Sequence, residues 1–277
     1  MTATVTAPPE LRDERRARPD AGLLSSSVAV ARRTVRRFVR TPQLLVMSTV
    51  QGALFLLIFR YVFGGAISTG GVPYVDFLVP GFVTTTILFA GSGATAGVAE
   101  DAEHGFSDRL RSLPIPRSAA VLGRALADTA LLAWSLAVTT AIGFAVGFRL
   151  HTDVPHALLA FGLCIVFGFA FEWMFVTMGL VSGSAQAAQG MAMLVFPLTF
   201  VSSAYVPVST MPSWMRPIAD HQPITVMVDA VRCLVGGRRV EALLHHSAGH
   251  DVVVSLLWSA VIVAVFAPLA IARFARR

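Results

Sequence analysis

Six stretches of this chain stay apolar for about twenty residues each, which is the length a helix needs to cross a ~30 Å hydrocarbon layer. They run over 44–63, 77–98, 125–147, 158–181, 187–206 and 252–272. Inside a bilayer each backbone N–H and C=O must find its partner within the protein, and a helix meets that demand locally. The expected fold is therefore all-α and polytopic, with six transmembrane helices. Composition leaves little room for anything else, since 55% of residues are hydrophobic and only 14% charged. The first run is the weakest, because Gln51 interrupts it and Arg60 lies near its end. An arginine there can snorkel to the interface. Runs four and five are separated by little more than Ser182, Gly183 and Ser184, which predicts a tight helical hairpin.

Arginine placement orients the helices. Nine arginines precede the first run, four (Arg109, Arg111, Arg117, Arg124) lie around the connection between runs two and three, and three close the chain. The alternate connections hold the other six, Arg60, Arg149, Arg216, Arg232, Arg238 and Arg239. Basic residues stay on the cytoplasmic side, so both termini are expected there.

The same arginines explain the net charge of +6. They flank apolar runs and form no aromatic-lined groove, so they point to topology and anionic lipid, with no nucleic-acid partner. Residues 28–40, VAVARRTVRRFVR, place Val28, Ala31, Val35 and Phe38 against five arginines at helical spacing. That pattern predicts an amphipathic helix in the cytoplasmic interface, either a basic anchor or a contact for another subunit. Residues 1–24 are polar, charged and alanine-rich, and read as a disordered tail ahead of a six-span membrane domain at 25–277. They carry no secretory signal pattern.

The chain contains no lysine. A P-loop holds the β/γ-phosphates with a lysine, so an ordinary P-loop ATPase is excluded. Any ATP consumed on behalf of this protein is hydrolysed by another subunit, and no cofactor is expected on this chain itself. The two cysteines, Cys164 and Cys233, read as free thiols.

The connection between runs two and three, EDAEHGFSDRLRSLPIPRSAAVLGR (100–124), begins with acids and continues with arginines. Asp108–Leu113 can form one short helix, ended by Pro114 and Pro116. Such a segment is either a solvated loop that sets topology or a rigid charged lever at the membrane surface. Residues 206–237 are punctuated by Pro207, Pro212, Pro217 and Pro223 and carry Trp214 as an interfacial anchor. ITVMVDAVRCLVGG (224–237) predicts an amphipathic helix with Asp229 and Arg232 paired at i,i+3 and a stop at Gly236-Gly237. It is expected to re-enter or lie on the interface as an exit cap, or to be an ordinary external loop.

Two motif blocks carry a family resemblance. The first is the order of Glu103 and Gly105, then Asp108-Arg109-Leu110, then SLPIPRS (112–118) and Gly123-Arg124. The second is FPLTFVSSAYVPVSTMPSWMRPIADHQPITVMVDAVRCLVGG (196–237), with Met211–Trp214, Pro223–Thr225 and Asp229–Arg232. Together they resemble the permeases of type-2 ABC exporters, nearest the daunorubicin-resistance-type branch of actinobacteria. The resemblance covers about residues 30–275, and His221-Gln222 depart from it where an asparagine is expected before Pro223. It implies a separate ATP-binding cassette subunit that carries ATP and magnesium, a second permease chain, and residence in a bacterial cytoplasmic membrane. It also implies that the charged lever is a coupling helix, with Glu103, Gly105, Asp108, Arg109, Leu110, Pro114 and Arg117 as ATPase-coupling residues. The cargo class it implies is a hydrophobic or amphipathic compound: drug, polyketide, lipid or glycoconjugate. Lysine-free, arginine-rich usage fits a GC-rich genome.

Other candidates compete for function. Glu172 is a carboxylate well inside run four, a costly place for charge and a functional signal by default. With Gln51, Phe82 and Thr85 it forms the candidate substrate pathway; alternatively it is hydrogen-bonded to a neighbouring helix or faces a wet crevice. A membrane-embedded enzyme or a proton-coupled drug carrier would use the same Glu172. His245, His246 and His250 (HHSAGH, 245–250) match no strong metal spacing, and a polar loop is expected there. Asp128, one turn inside run three, is expected at the interface.

Overall fold

The computed structural model describes residues 23–39, 50, 52–67, 69, 71–104, 117–244 and 247–276. Among them all regular structure is helical and there is no strand. The chain enters through α1 (Leu23–Val39) and a shorter apolar helix, α2 (Gly52–Phe63). Then follow α3 (Tyr74–Glu103), α4 (Arg117–Ala145), α5 (Val154–Val181), α6 (Ala185–Met193) and α7 (Phe196–Phe200). After a 3-10 turn at Val208–Thr210 come α8 (Arg216–His221), α9 (Pro223–Gly236), α10 (Arg238–Leu244) and α11 (Ala248–Arg276). Among the described residues four helices, α3, α4, α5 and α11, are long and apolar enough to cross a membrane. They answer to the second, third, fourth and sixth apolar runs, and this is a multi-pass membrane protein.

The first run is described only from Gly52 onward, apart from Val50, and Gln51 lies outside the described residues. Its last turn, Phe59–Phe63, widens into a π-helix, the wider helical turn that appears mostly as single insertions. The fifth run differs from expectation: the single helix expected over 187–206 is broken. Helix α6 stops at Met193, and Pro197 supplies the reason, since its ring clashes with the carbonyl four residues back and it has no amide to donate. The chain turns at 194–195, resumes as α7, and leaves through turns at 201–205. Backbone groups freed by the break are met locally: Leu194 N donates to Met191 O and Val195 N to Ala192 O, while the Ser202 hydroxyl donates to Thr199 O. The expected hairpin before it is present, with Ser184 Oγ capping α6 by accepting from Ala187 N.

Helix α5 is the centre of the bundle and packs on α11, α3, α4 and α9. Phe167, Phe171 and Phe175, spaced one turn apart, are all buried and pack as tilted rings along it, with centroids 4.6 and 6.5 Å apart. In lipid such contacts hold through close packing, because acyl chains are as apolar as the side chains they touch. Helix α1 begins at Leu23, just inside the segment read as tail, and packs along α4. It presents the small residues Ser26 and Ser27 to α4 while Arg32 and Arg36 stay exposed.

Candidate functional site

Two polar clusters sit at opposite ends of α3. The first joins α3 to α4 beside the 104–116 connection. Arg124 donates from Nη1 to Asp101 Oδ2 and from Nε to Asp128 Oδ2, both at 2.6 Å. The guanidinium reaches Asp101 over Gly97, where a Cβ would lie only 2.6 Å from Nη2. Asp128 and Arg124 are one turn apart on α4, and both side chains are largely buried. Glu172 of α5 is 1% exposed, and its Oε2 has no hydrogen-bond partner among the described residues. The Arg124 guanidinium is thus shared by two carboxylates, Asp101 and Asp128, with Glu172 buried on the neighbouring helix. Just beyond, Glu103 Oε1 accepts from the amide of Ala185 at 3.0 Å, which ties the end of α3 to the turn between α5 and α6.

The second cluster centres on Arg232, which is 1% exposed. Its Nε donates to Phe77 O (3.0 Å), Nη1 to Ser203 Oγ and Asp229 Oδ1 (both 3.1 Å), and Nη2 to Ala204 O (2.9 Å). Ser203 Oγ donates to Asp229 in turn, and the guanidinium lies 3.5 Å from the centre of the Phe77 ring. One side chain therefore joins α9, the N-terminal turn of α3 and the broken end of the fifth run. Gly81 permits the approach, because a Cβ there would come within 2.1 Å of Ala204 O. Tyr205 completes the joint: its hydroxyl donates to Thr85 Oγ1 at 3.1 Å, and its ring stacks on Phe59 and meets Phe82.

Of the expected ATPase-coupling residues, Gly105, Asp108, Arg109, Leu110 and Pro114 lie outside the described residues. Arg117 opens α4, and Glu103 is exposed at the end of α3. Of the expected pathway residues, Phe82, Thr85 and Glu172 are buried inside this chain. Of the residues expected in an exit cap, Pro223 starts α9, which ends at Gly237 with φ +65°, and Asp229 and Arg232 pair at i,i+3. Trp214 stands exposed, and Pro207 leads into the 3-10 turn. Asp128, expected at the interface, is buried against Arg124. His245 and His246 are outside the described residues, His250 is exposed beside Asp251, and no metal-holding group occurs among the described residues. Sequence reasoning missed the bridge from Arg124 to Asp101, although the i,i+4 spacing of Arg124 and Asp128 was there to be read.

Comparison with known proteins bears on what such a bundle does. The ABC-2 type transporter family pattern matches residues 26–234. The chain is 33% identical over 258 residues, 92% of its length and 87% of the relative's, to the daunorubicin resistance ABC transporter permease protein DrrB1 of Streptomyces coeruleorubidus. It is 26% identical over 232 residues, 80% of each chain, to the probable doxorubicin resistance ABC transporter permease protein DrrC of Mycobacterium tuberculosis. The putative transport permease ycf38 of Pyropia yezoensis is 25% identical over 227 residues, 76% of this chain and 74% of that one. The matched region takes in both polar clusters and every helix from α3 to α8. The chain belongs to the ABC-2 type transporter family, as the membrane-spanning permease subunit of an ABC exporter.

Proposed function

We propose that this permease works with a separate ATP-binding cassette subunit and a second permease chain in a bacterial cytoplasmic membrane. ATP and magnesium are bound by the partner subunit, and the cargo is a hydrophobic or amphipathic compound moved outward. The absence of lysine supports the division of labour, since the phosphate-gripping residue has to come from elsewhere. Both termini and the 104–116 segment face the cytoplasm in this reading, which follows the arginine bias.

The observation that carries the proposal is the bracing around that segment. Its two stems, the end of α3 and the start of α4, are joined by Arg124 and Asp101, and Glu103 ties the first stem to the α5–α6 turn. A push on the segment is passed to three helices at once. Gly105, Asp108, Arg109, Leu110, Pro114 and Arg117 then seat in a cleft of the ATPase, with Glu103 at the hinge. Closure of the ATPase on ATP moves two such levers and shifts the permease pair between inward and outward access. The Arg232 joint holds the exit cap (Pro207, Trp214, Pro223, Asp229) against the start of α3, while Gln51, Phe82, Thr85 and Glu172 line or support the route. Export of a fluorescent anthracycline from cells carrying both subunits tests this. Arg109→Glu and Leu110→Asp are expected to abolish efflux with the permease still present in the membrane; unchanged efflux from both variants would contradict it.

A further inference from the structure

Away from both polar clusters, α3, α4, α5 and α9 enclose an apolar cavity of about 230 Å³ near the turn between α4 and α5. Its inner wall includes Val79, Cys164 and Val231, all buried, and its mouth is framed by Phe144, Val154 and Leu158, all exposed. A bound water needs two to four polar partners. The hydroxyl in the lining, that of Thr140, already donates to Leu136 O at 2.8 Å. Water is therefore a poor occupant. An empty hollow would forfeit dispersion contacts along its whole wall. At ~30 Å³ for a unit the size of a water, the space takes about seven or eight such units, enough for part of a hydrocarbon chain.

The chemistry at the mouth is different. Helix α4 ends in a turn at Gly147, whose φ is +109°, a conformation that suits glycine. Phe148 N closes that turn on Gly143 O (3.0 Å), which folds Phe148 into the cavity wall and sends Arg149 back over the helix end. Arg149 Nη1 donates to the carbonyls of Phe144 and Phe148, at 3.1 and 2.9 Å. The two residues that anchor the guanidinium are themselves wall residues. Nearby Asp76 is engaged by the Arg149 backbone amide and by His151, so it sets the backbone more than the guanidinium. A fixed arginine, exposed at the rim of a dry alkyl-sized hollow, matches a phosphate attached to a hydrocarbon chain.

We propose that this is a glycerophospholipid site in the leaflet on the side of the α4–α5 turn, with part of one acyl chain in the cavity and the phosphate on Arg149. The site does not depend on how the permease is coupled to ATP. It accounts for two features that the transport reading leaves unused, the hollow and the arginine held over it.

The test uses the full chain in phosphatidylcholine nanodiscs containing a phosphatidylglycerol with a diazirine in one acyl chain. After illumination, labelled positions are mapped by mass spectrometry. Label is expected to concentrate at least fivefold on 136–164 over the exposed apolar face of α11. Ala157→Trp, which fills the mouth, should remove that excess. Arg149→Gln, with unchanged thermal unfolding as the control for the α4 end that the side chain caps, should reduce it at least threefold, while labelling by a diazirine fatty alcohol of the same length stays unchanged. Equal labelling of the cavity and of α11 would overturn the proposal, reducing the contact to ordinary bilayer solvent. So would labelling that Arg149→Gln leaves intact, or that daunorubicin displaces and excess unlabelled phosphatidylglycerol does not.

Discussion

Arg124 and Asp101, 23 residues apart, meet at 2.6 Å and join the two stems of the connection between α3 and α4. The same guanidinium holds Asp128, and the buried Glu172 has an oxygen without a hydrogen-bond partner among the described residues. One cation paired with two carboxylates, with a third carboxyl buried on the next helix, makes this cluster sensitive to any change of charge. Breaking a buried pair by removing one partner costs about 3–5 kcal/mol, because the other charge is left behind.

Arg124→Gln is therefore expected to lower the melting temperature of the purified permease sharply, while Glu172→Gln is expected to leave it unchanged or raise it. The double variant should recover part of the loss, with a coupling of about 0.5–3 kcal/mol between the two positions. Additive effects in a thermal-unfolding cycle would show that Glu172 is independent of the arginine.

Arg232 makes a parallel case at the other end of α3. Its guanidinium pairs with Asp229 in a buried site, so Arg232→Ala should destabilise the fold by about 3–5 kcal/mol. Arg232→Lys should fail to rescue it, since a single ammonium cannot reach Phe77 O, Ala204 O and Asp229 from one position. Thermal unfolding in detergent reads both; full rescue by lysine would mean that charge alone matters there.

Gly81 is expected to tolerate no side chain. A Cβ 2.1 Å from the backbone oxygen of Ala204 has to push α3 away from the fifth run, a cost of about 1–3 kcal/mol for overpacking. Gly93, with nothing near its Cβ position, is the control on the same helix. Gly81→Ala should lower stability and Gly93→Ala should not.

Much of the fold was readable in advance because helix length and apolarity follow directly from the bilayer. The runs at 77–98, 125–147, 158–181 and 252–272 became α3, α4, α5 and α11, each helix extending beyond its apolar run at the N-terminal end, and the Asp229–Arg232 pair and its glycine stop came from spacing and turn chemistry alone. The fifth run misled because apolarity says nothing of continuity, and Pro197 was the overlooked local signal. The Arg124–Asp101 and Arg232–Ala204 contacts were out of reach for another reason. They join residues far apart in sequence, and no periodicity within a single helix encodes which neighbour a side chain will meet.

Accessibility should follow the same geometry. In a background without Cys164 and Cys233, a cysteine at Trp214, which is 69% exposed, is expected to label rapidly with a membrane-impermeant maleimide added to intact cells. One at Val228, which is buried on α9, should resist until the protein is denatured. Rapid labelling at both positions would show α9 to be an ordinary external loop.

The central claim is that a separate ATPase drives this permease through the 104–116 segment. Co-purification with candidate ATP-binding subunits from the host, followed by ATPase assays in lipid with and without Arg109→Glu, tests it most directly. The account predicts a stoichiometric complex whose cargo-stimulated ATP hydrolysis is lost in the variant while basal hydrolysis by the partner remains. A permease that transports with no ATPase bound, or a complex whose stimulated hydrolysis is untouched by Arg109→Glu, would contradict it.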